Sequence, residues 1–171
     1  GRVLDVACGS GYGTHIIAKL CKKHVDEIVG MDNSSEAVHY AKKTYYHPLT
    51  SYIVKDAVEP NLSDEIGQFD TILRFETIEH IQEEVQFLNN IFKLLKPNGT
   101  LILSTPFGKG RNKPCGIPFH VHQLTKKEFR NLFNDYPYAS KELFFQKGVF
   151  ITPADFDSKE HYPLGIAVCR K

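Results

Sequence analysis

Three carboxylates and a glycine loop are spaced to hold a ligand. In "VLDVACGSGYG", residues 3–13, an apolar strand runs into Gly9, Gly11 and Gly13, and loops of this kind let a backbone approach a ligand closely. Asp5 stands just ahead of the glycines. Asp32 closes the apolar run "EIVGMD" nineteen residues beyond Gly13. An acidic residue at about that spacing accepts hydrogen bonds from ribose hydroxyls. Asp56 closes "SYIVKD" and is followed by Ala57; a carboxylate there can accept from an adenine amino group. Phe75 and Glu76 follow a fourth apolar run and border the same crevice.

The loop does not fit a dinucleotide. That fingerprint is G-x-G-x-x-G or G-x-G-x-x-A, and counting from Gly9 its third position falls on Thr14. A pyrophosphate on this loop would also face Asp5, and like charges at short range repel. A cationic ligand meets no such penalty. S-adenosylmethionine carries a sulfonium, an ammonium and no phosphate, so its methionine end suits a glycine loop with an acidic neighbour.

Groups able to move a proton lie further along. Glu79, His80, His120 and His122 are candidates, and histidine titrates near neutrality. His80 follows the fourth strand and His120 lies in the loop after the fifth, so these two are the expected catalytic residues. His120 and His122 suggest a metal pair, but no third ligand is apparent, and no metal is expected. Lys109, Arg111 and Lys113 form a basic loop that reads chiefly as solvated. Phe107 and Phe119 are placed to cover an acceptor, and the long stretch 107–124 is expected to act as part of the acceptor site.

The elements that position these residues alternate. Strands are expected at residues 3–7, 27–32, 51–56, 69–76 and 100–106. Between them fall helices at 14–23, at 33–46 with Asn33 as cap and Glu36 three residues on, and at 81–95, where Ile81, Val85, Leu88, Ile91, Phe92 and Leu95 mark one buried face. Thr125 and Glu128 form a capping-box pair ahead of a further helix. "ELFFQKGVF" and "LGIAVCRK" read as two late strands close to a hairpin. Strand and helix in alternation predict an α/β fold with a parallel sheet covered on both faces. In such sheets ligands bind beyond the carboxyl ends of the strands, where the strand order reverses.

Bulk properties narrow the function. The 171 residues suit one domain. A net charge of +1 gives no global field toward nucleic acid or an acidic membrane. No apolar run is long enough to span a bilayer. Four cysteines lie scattered without a Cys-x-x-Cys pair, which suits a reducing, cytoplasmic setting. The chain opens directly on a strand, so further N-terminal residues are expected.

"VLDVACGSGYG", "GMDNSSEAV", "VKDA", "FDTILRFETIEHI" and "LLKPNGTLILSTP" occur in an order that resembles class I S-adenosylmethionine-dependent methyltransferases, most of all the small-molecule group. The resemblance implies a Rossmann-like, doubly wound sheet of seven strands with the last antiparallel. It implies that Asp5, Gly9 and Gly11 hold the methionine part of the cofactor, with Ala7 where many members carry glycine. Asp32 would hold the ribose, with Asn33 beside the adenine, and Asp56 and Ala57 would face the adenine. The acceptor would be a small molecule, with no nucleic acid or membrane partner; the Asn/Asp-Pro-Pro-aromatic motif of DNA adenine methyltransferases is missing after the fourth strand. The competing readings are a non-catalytic cofactor-binding module and a nicotinamide oxidoreductase.

Overall fold

The computed structural model describes residues 1–111, 113–155 and 161–171. Eight strands form one sheet: β1 (Arg2–Val6), β2 (Glu27–Asp32), β3 (Thr50–Val54), β4 (Phe69–Phe75), β5 (Leu95–Pro106), β6 (Ser140–Lys147), β7 (Phe150–Pro153) and β8 (Leu164–Arg170). Among the described residues five helices join them: α1 (Tyr12–Leu20), α2 (Ser35–Thr44), α3 (Leu62–Ile66), α4 (Glu84–Leu94) and α5 (Lys126–Asn131), with one 3-10 turn at Ile78–His80. The strand order is β3-β2-β1-β4-β5-β8-β6-β7. The first five strands run parallel, and β8 is antiparallel to both β5 and β6.

Alternation along β1 splits the core between two faces. Leu4 and Val6 join the large cluster that holds Phe87, Leu88 and Ile91 of α4. Val3 packs instead with Ala18 of α1, Ile28 and Leu73. Val38 and Ala41 of α2 pack on Tyr52 of β3. Helices therefore cover both faces, as parallel strands require.

The architecture is the expected one with an added strand. Seven strands were expected, and "ELFFQKGVF" read as one of them; the chain turns at Gly148, where φ is +59°, and returns as β7 antiparallel to β6. The hairpin partner of β6 is thus β7, while β8 arrives later and inserts between β5 and β6. Helix α1 starts earlier than its apolar pattern because Gly11 adopts a left-handed conformation (φ +84°) and turns the chain straight into it. The cap of α2 is Ser34, whose hydroxyl accepts from Ala37 N at 3.2 Å, not Asn33. Asp32 Oδ1 accepts from Ser34 N at 2.9 Å and draws that residue into the cap position. The capping box forms as expected, Thr125 and Glu128 each accepting from the other's backbone N–H.

Strand order reverses between β2 and β4, on either side of β1. The crevice at that switch point is bordered by the loops that follow β1, β2, β3 and β4.

Candidate functional site

The loop after β1 is built by backbone conformations that few residues adopt. Ala7, Gly9 and Gly11 all have positive φ, at 53°, 53° and 84°. Alanine at the first of these carries strain that glycine would not. Gly11 is fixed by crowding: a Cβ there would stand 2.6 Å from Ala41 Cβ and 2.8 Å from Tyr52 Cε1. Gly9 differs, because a Cβ there would have nothing among the described residues within 4 Å. Its freedom keeps open space beside the loop, which is what a bound molecule needs.

Asp32 ties this loop to the next. Its Oδ2 accepts from Gly9 N at 2.8 Å while its Oδ1 accepts from Ser34 N. Each oxygen keeps a lone pair, and the two backbone donors hold the carboxylate in one orientation. The loop after β3 is fixed from below: Asn90 of α4 donates to the carbonyls of Ala57 and Glu59, both at 2.8 Å. Asp56 Oδ1 accepts from Val58 N at 3.2 Å, closing its own turn. Sequence reading missed Asn90, although a polar residue on the buried stripe of α4 marks such a tie.

These loops enclose a pocket of about 250 Å³ lined by Ala7, Asp32, Asn33, Asp56, Ala57 and His80, among others. Three separate strand ends and the 3-10 turn thus bring six of the expected residues together. Gly9 and Gly11 stand in the adjoining loop. Asp5 lies beneath it, 7% exposed, with Thr14 Oγ1 donating to its Oδ2 at 2.6 Å. Burial pushes the Asp5 carboxyl up from 3.8 to about 6; the Thr14 hydrogen bond and the Arg74 charge pull it down, and the negative charge of Asp32 adds to the rise.

Phe75 lies apart from this pocket. Strand alternation turns it with Leu73 and Thr71 to the opposite face, where it is 51% exposed and lines an apolar groove of about 460 Å³ with Val3 and Ile17. The same parity sends Arg74 inward. Arg74 is fully buried and lines the pocket, its guanidinium 4.7 Å from the centre of the Phe87 ring. None of its three side-chain nitrogens has a hydrogen-bond partner among the described residues. Burial pulls it down from 12.5 to about 9, against the charges of Glu79, Asp32 and Asp5. A charged residue in register with Ile72 and Leu103 was the signal in the sequence.

Two imidazoles meet where His80 lines the pocket. His80 and His120 pack edge to face with centroids 4.6 Å apart. The chain brings them together by clamping two segments: Val121 N donates to Glu79 O at 2.9 Å, and Gly108 N and Gly110 N donate to Leu124 O and Gln123 O, both at 2.9 Å. Stretch 107–124 is therefore drawn in at both ends; Asn112 within it lies outside the described residues. His122 faces away, its Nε2 3.3 Å from Glu84 Oε2. Arg111 is no free cation either, since its Nη2 donates to Glu84 Oε1 at 2.6 Å. Phe107 is core, stacked edge-on against Phe129 and Phe145, whereas Phe119 is 89% exposed.

Comparison with known proteins places this geometry. Residues 1–148 match a family model described as a methyltransferase domain. A probable S-adenosylmethionine-dependent methyltransferase of Mycolicibacterium smegmatis is 31% identical over 134 residues, 76% of this chain and 49% of that protein. Juvenile hormone acid O-methyltransferase of Bombyx mori is 35% identical over 60% of this chain and 37% of its own length. The chain thus spans about half or less of these curated relatives. Among solved structures, a plantazolicin methyltransferase in complex with SAH shares the fold with a TM-score of 0.74 at 18% identity, over 99% of this chain and 75% of that one.

Proposed function

The chain belongs to the class I S-adenosylmethionine-dependent methyltransferases, and from that premise we propose that it moves a methyl group from S-adenosylmethionine to a small-molecule acceptor by in-line displacement. The observation that carries this reading is the pocket shared by Asp32, Asn33, Asp56 and Ala57 beside a glycine loop left open at Gly9. The residues suit the cofactor. Two carboxylates offer acceptors for hydroxyl and amino groups, no phosphate cradle is called for, and the surplus of negative charge favours a cation.

The cofactor supplies an activated methyl on a positively charged sulfur. The chain supplies the rest. Asp32, already oriented by Gly9 N and Ser34 N, accepts from ribose hydroxyls. Asn33, Asp56 and Ala57 border the base. Asp5, with Gly9 and Gly11, holds the methionine end, its charge acting through the loop above it. Ala7 shapes the floor between the two parts. Alignment of donor and acceptor is the larger part of the catalysis, because holding two reactants in attack geometry removes most of the entropy cost. His80 lines the pocket with His120 packed edge-on against it, and these two are the groups proposed to activate the acceptor.

This reading takes residues 1–171 as one domain. It places the protein in the cytoplasm, in keeping with four free thiols at Cys8, Cys21, Cys115 and Cys169. Among the described residues no helix is long and apolar enough to cross a membrane. Calorimetric titration with S-adenosylmethionine, its demethylated product and NAD tests the reading. Saturable binding of the two sulfur ligands is expected. Binding of NAD alone would sink it.

A further inference from the structure

Glu79, His80 and His120 each present one ligand atom, and all three atoms lie within 4.8 Å of one another. Two imidazoles and a carboxylate, two of them adjacent in the 3-10 turn and the third brought in by the loop after β5, form the donor set of open, catalytic divalent-metal sites. Three further details fit a ligand role. His80 Nδ1 lies 2.8 Å from the Phe119 carbonyl, which can only accept. That nitrogen must therefore carry the proton, and Nε2 keeps its lone pair. Metal-binding histidines are oriented by such a bond to a carbonyl. His120 Nδ1 is buried with no partner among the described residues, a costly state for a ring nitrogen. The backbone between them is also strained: Phe119 takes a φ of 67°, and strain of this kind persists where the surroundings over-determine a geometry.

We propose that these three residues hold a divalent cation of the zinc, manganese or ferrous class, and that this cation activates a hydroxyl acceptor. The site itself stands on geometry alone; its role in activation rests on the methyl-transfer reading above. Ligand atoms around zinc at about 2.0–2.1 Å stand roughly 3.3 Å apart. The set must therefore draw in by up to about 1.5 Å, a side-chain rotation open to the exposed His80 and half-buried His120. Glu79 is 1% exposed, and one of its oxygens, Oε2, accepts from Thr105 Oγ1 at 3.3 Å, leaving the other for the cation. Arg74 is the opposing charge nearby. It makes no hydrogen bond to Glu79, and its charge is shared with Asp32 and Asp5.

Three protein ligands leave positions open, and His80 also lines the pocket that borders Asp32 and Asp56. An acceptor hydroxyl in an open position loses its proton to water at a lower pH than in solution. Its oxygen then forms the new bond to the methyl carbon while the carbon–sulfur bond breaks. The electron pair stays on sulfur, which becomes a neutral thioether, and one proton is released.

The test uses untagged protein freed of metal by chelation, titrated with zinc by calorimetry and with cobalt(II) by visible absorption. One equivalent should bind, with cobalt bands of a four- or five-coordinate site. His120→Ala and His80→Ala, both outside the core, should each weaken binding at least about tenfold, and Glu79→Gln likewise where it folds. His122→Ala should leave it unchanged. No saturable binding, or binding indifferent to His120→Ala and His80→Ala but lost in His122→Ala, overturns the proposal. These titrations contain no cofactor, so failure here is distinct from failure to bind S-adenosylmethionine.

Discussion

Replacing Asp5 by asparagine should stabilise the protein at neutral pH and leave its stability in acid almost unchanged. The Asp5 carboxyl is 7% exposed and titrates near 6 in the fold against 3.8 ordinarily, chiefly because burial strips water from its charged form. A carboxyl raised on folding favours the protonated state in the native protein. Its contribution is therefore fully present below pH 3.8, declines as pH climbs toward 6, and is gone above. Two units correspond to about 3 kcal/mol at pH 7. Asparagine has the same shape, and its oxygen can still accept from Thr14 Oγ1. Its amide N–H group gains no ready acceptor and takes part of the gain back, so about 1–2 kcal/mol should remain at pH 7. Urea midpoints of both proteins between pH 4 and pH 7.5 measure this. The difference between variant and parent should grow across that range with no change in slope. A difference constant with pH, or one that favours the parent at pH 7, would show that the Arg74 charge outweighs burial at Asp5.

The same carboxylate should make cofactor binding depend on pH. If its charge holds a cation, affinity for S-adenosylmethionine falls about tenfold between pH 7.5 and pH 5, one unit below the folded value, and Asp5→Asn flattens that profile; calorimetry at both pH values reads it. Gly9→Ala should cost the fold only about 1–2 kcal/mol for a side chain at positive φ, yet abolish most cofactor binding by filling the open space. Gly11→Ala should cost about 2–4 kcal/mol in thermal or urea unfolding, since its methyl meets Ala41 and Tyr52. Asp32→Ala should weaken cofactor binding by about 1.5–3 kcal/mol, the range for a hydrogen bond to a charged group; normal binding would leave Asp32 as a tie between Gly9 and Ser34 alone.

What could be read in the sequence was what lies close along the chain. Asp32 ends an apolar run, and the run becomes β2. Thr125 and Glu128 are three apart, and the capping box forms. Side-chain direction within an element was harder to read. Phe75 was assigned to the crevice because it stands at the end of the fourth apolar run, but strand parity sends it to the other face and Arg74 inward. The three glycines looked alike in one dimension. In the fold Gly11 is held by packing, Gly9 borders open space and Gly13 sits in α1. The two partners proposed for His120 were hidden for a different reason. Spacing reveals metal sets that share one turn or helix, while Glu79 and His80 reach His120 only because Val121 N returns to Glu79 O.

Charge explains why the pocket suits one cofactor class. Arg74 is ringed by Glu79, Asp32 and Asp5, three carboxylates against one guanidinium, and no hydrogen bond neutralises it among the described residues. Lys55, which also lines the pocket, is held by Glu59 and Glu65 and adds no free positive charge. Asp56 adds another carboxylate to the pocket lining. A molecule with two phosphates would bring its charge against this surplus in a partly buried space, where screening by salt is weak. A ligand with a sulfonium and an ammonium set against one carboxylate carries a net positive charge and relieves the surplus. The buried Asp5 carboxylate beneath the glycine loop is thus one member of a negatively charged basin around Arg74. On the proposed reading that basin, more than the glycine pattern, separates a methyl donor from a dinucleotide.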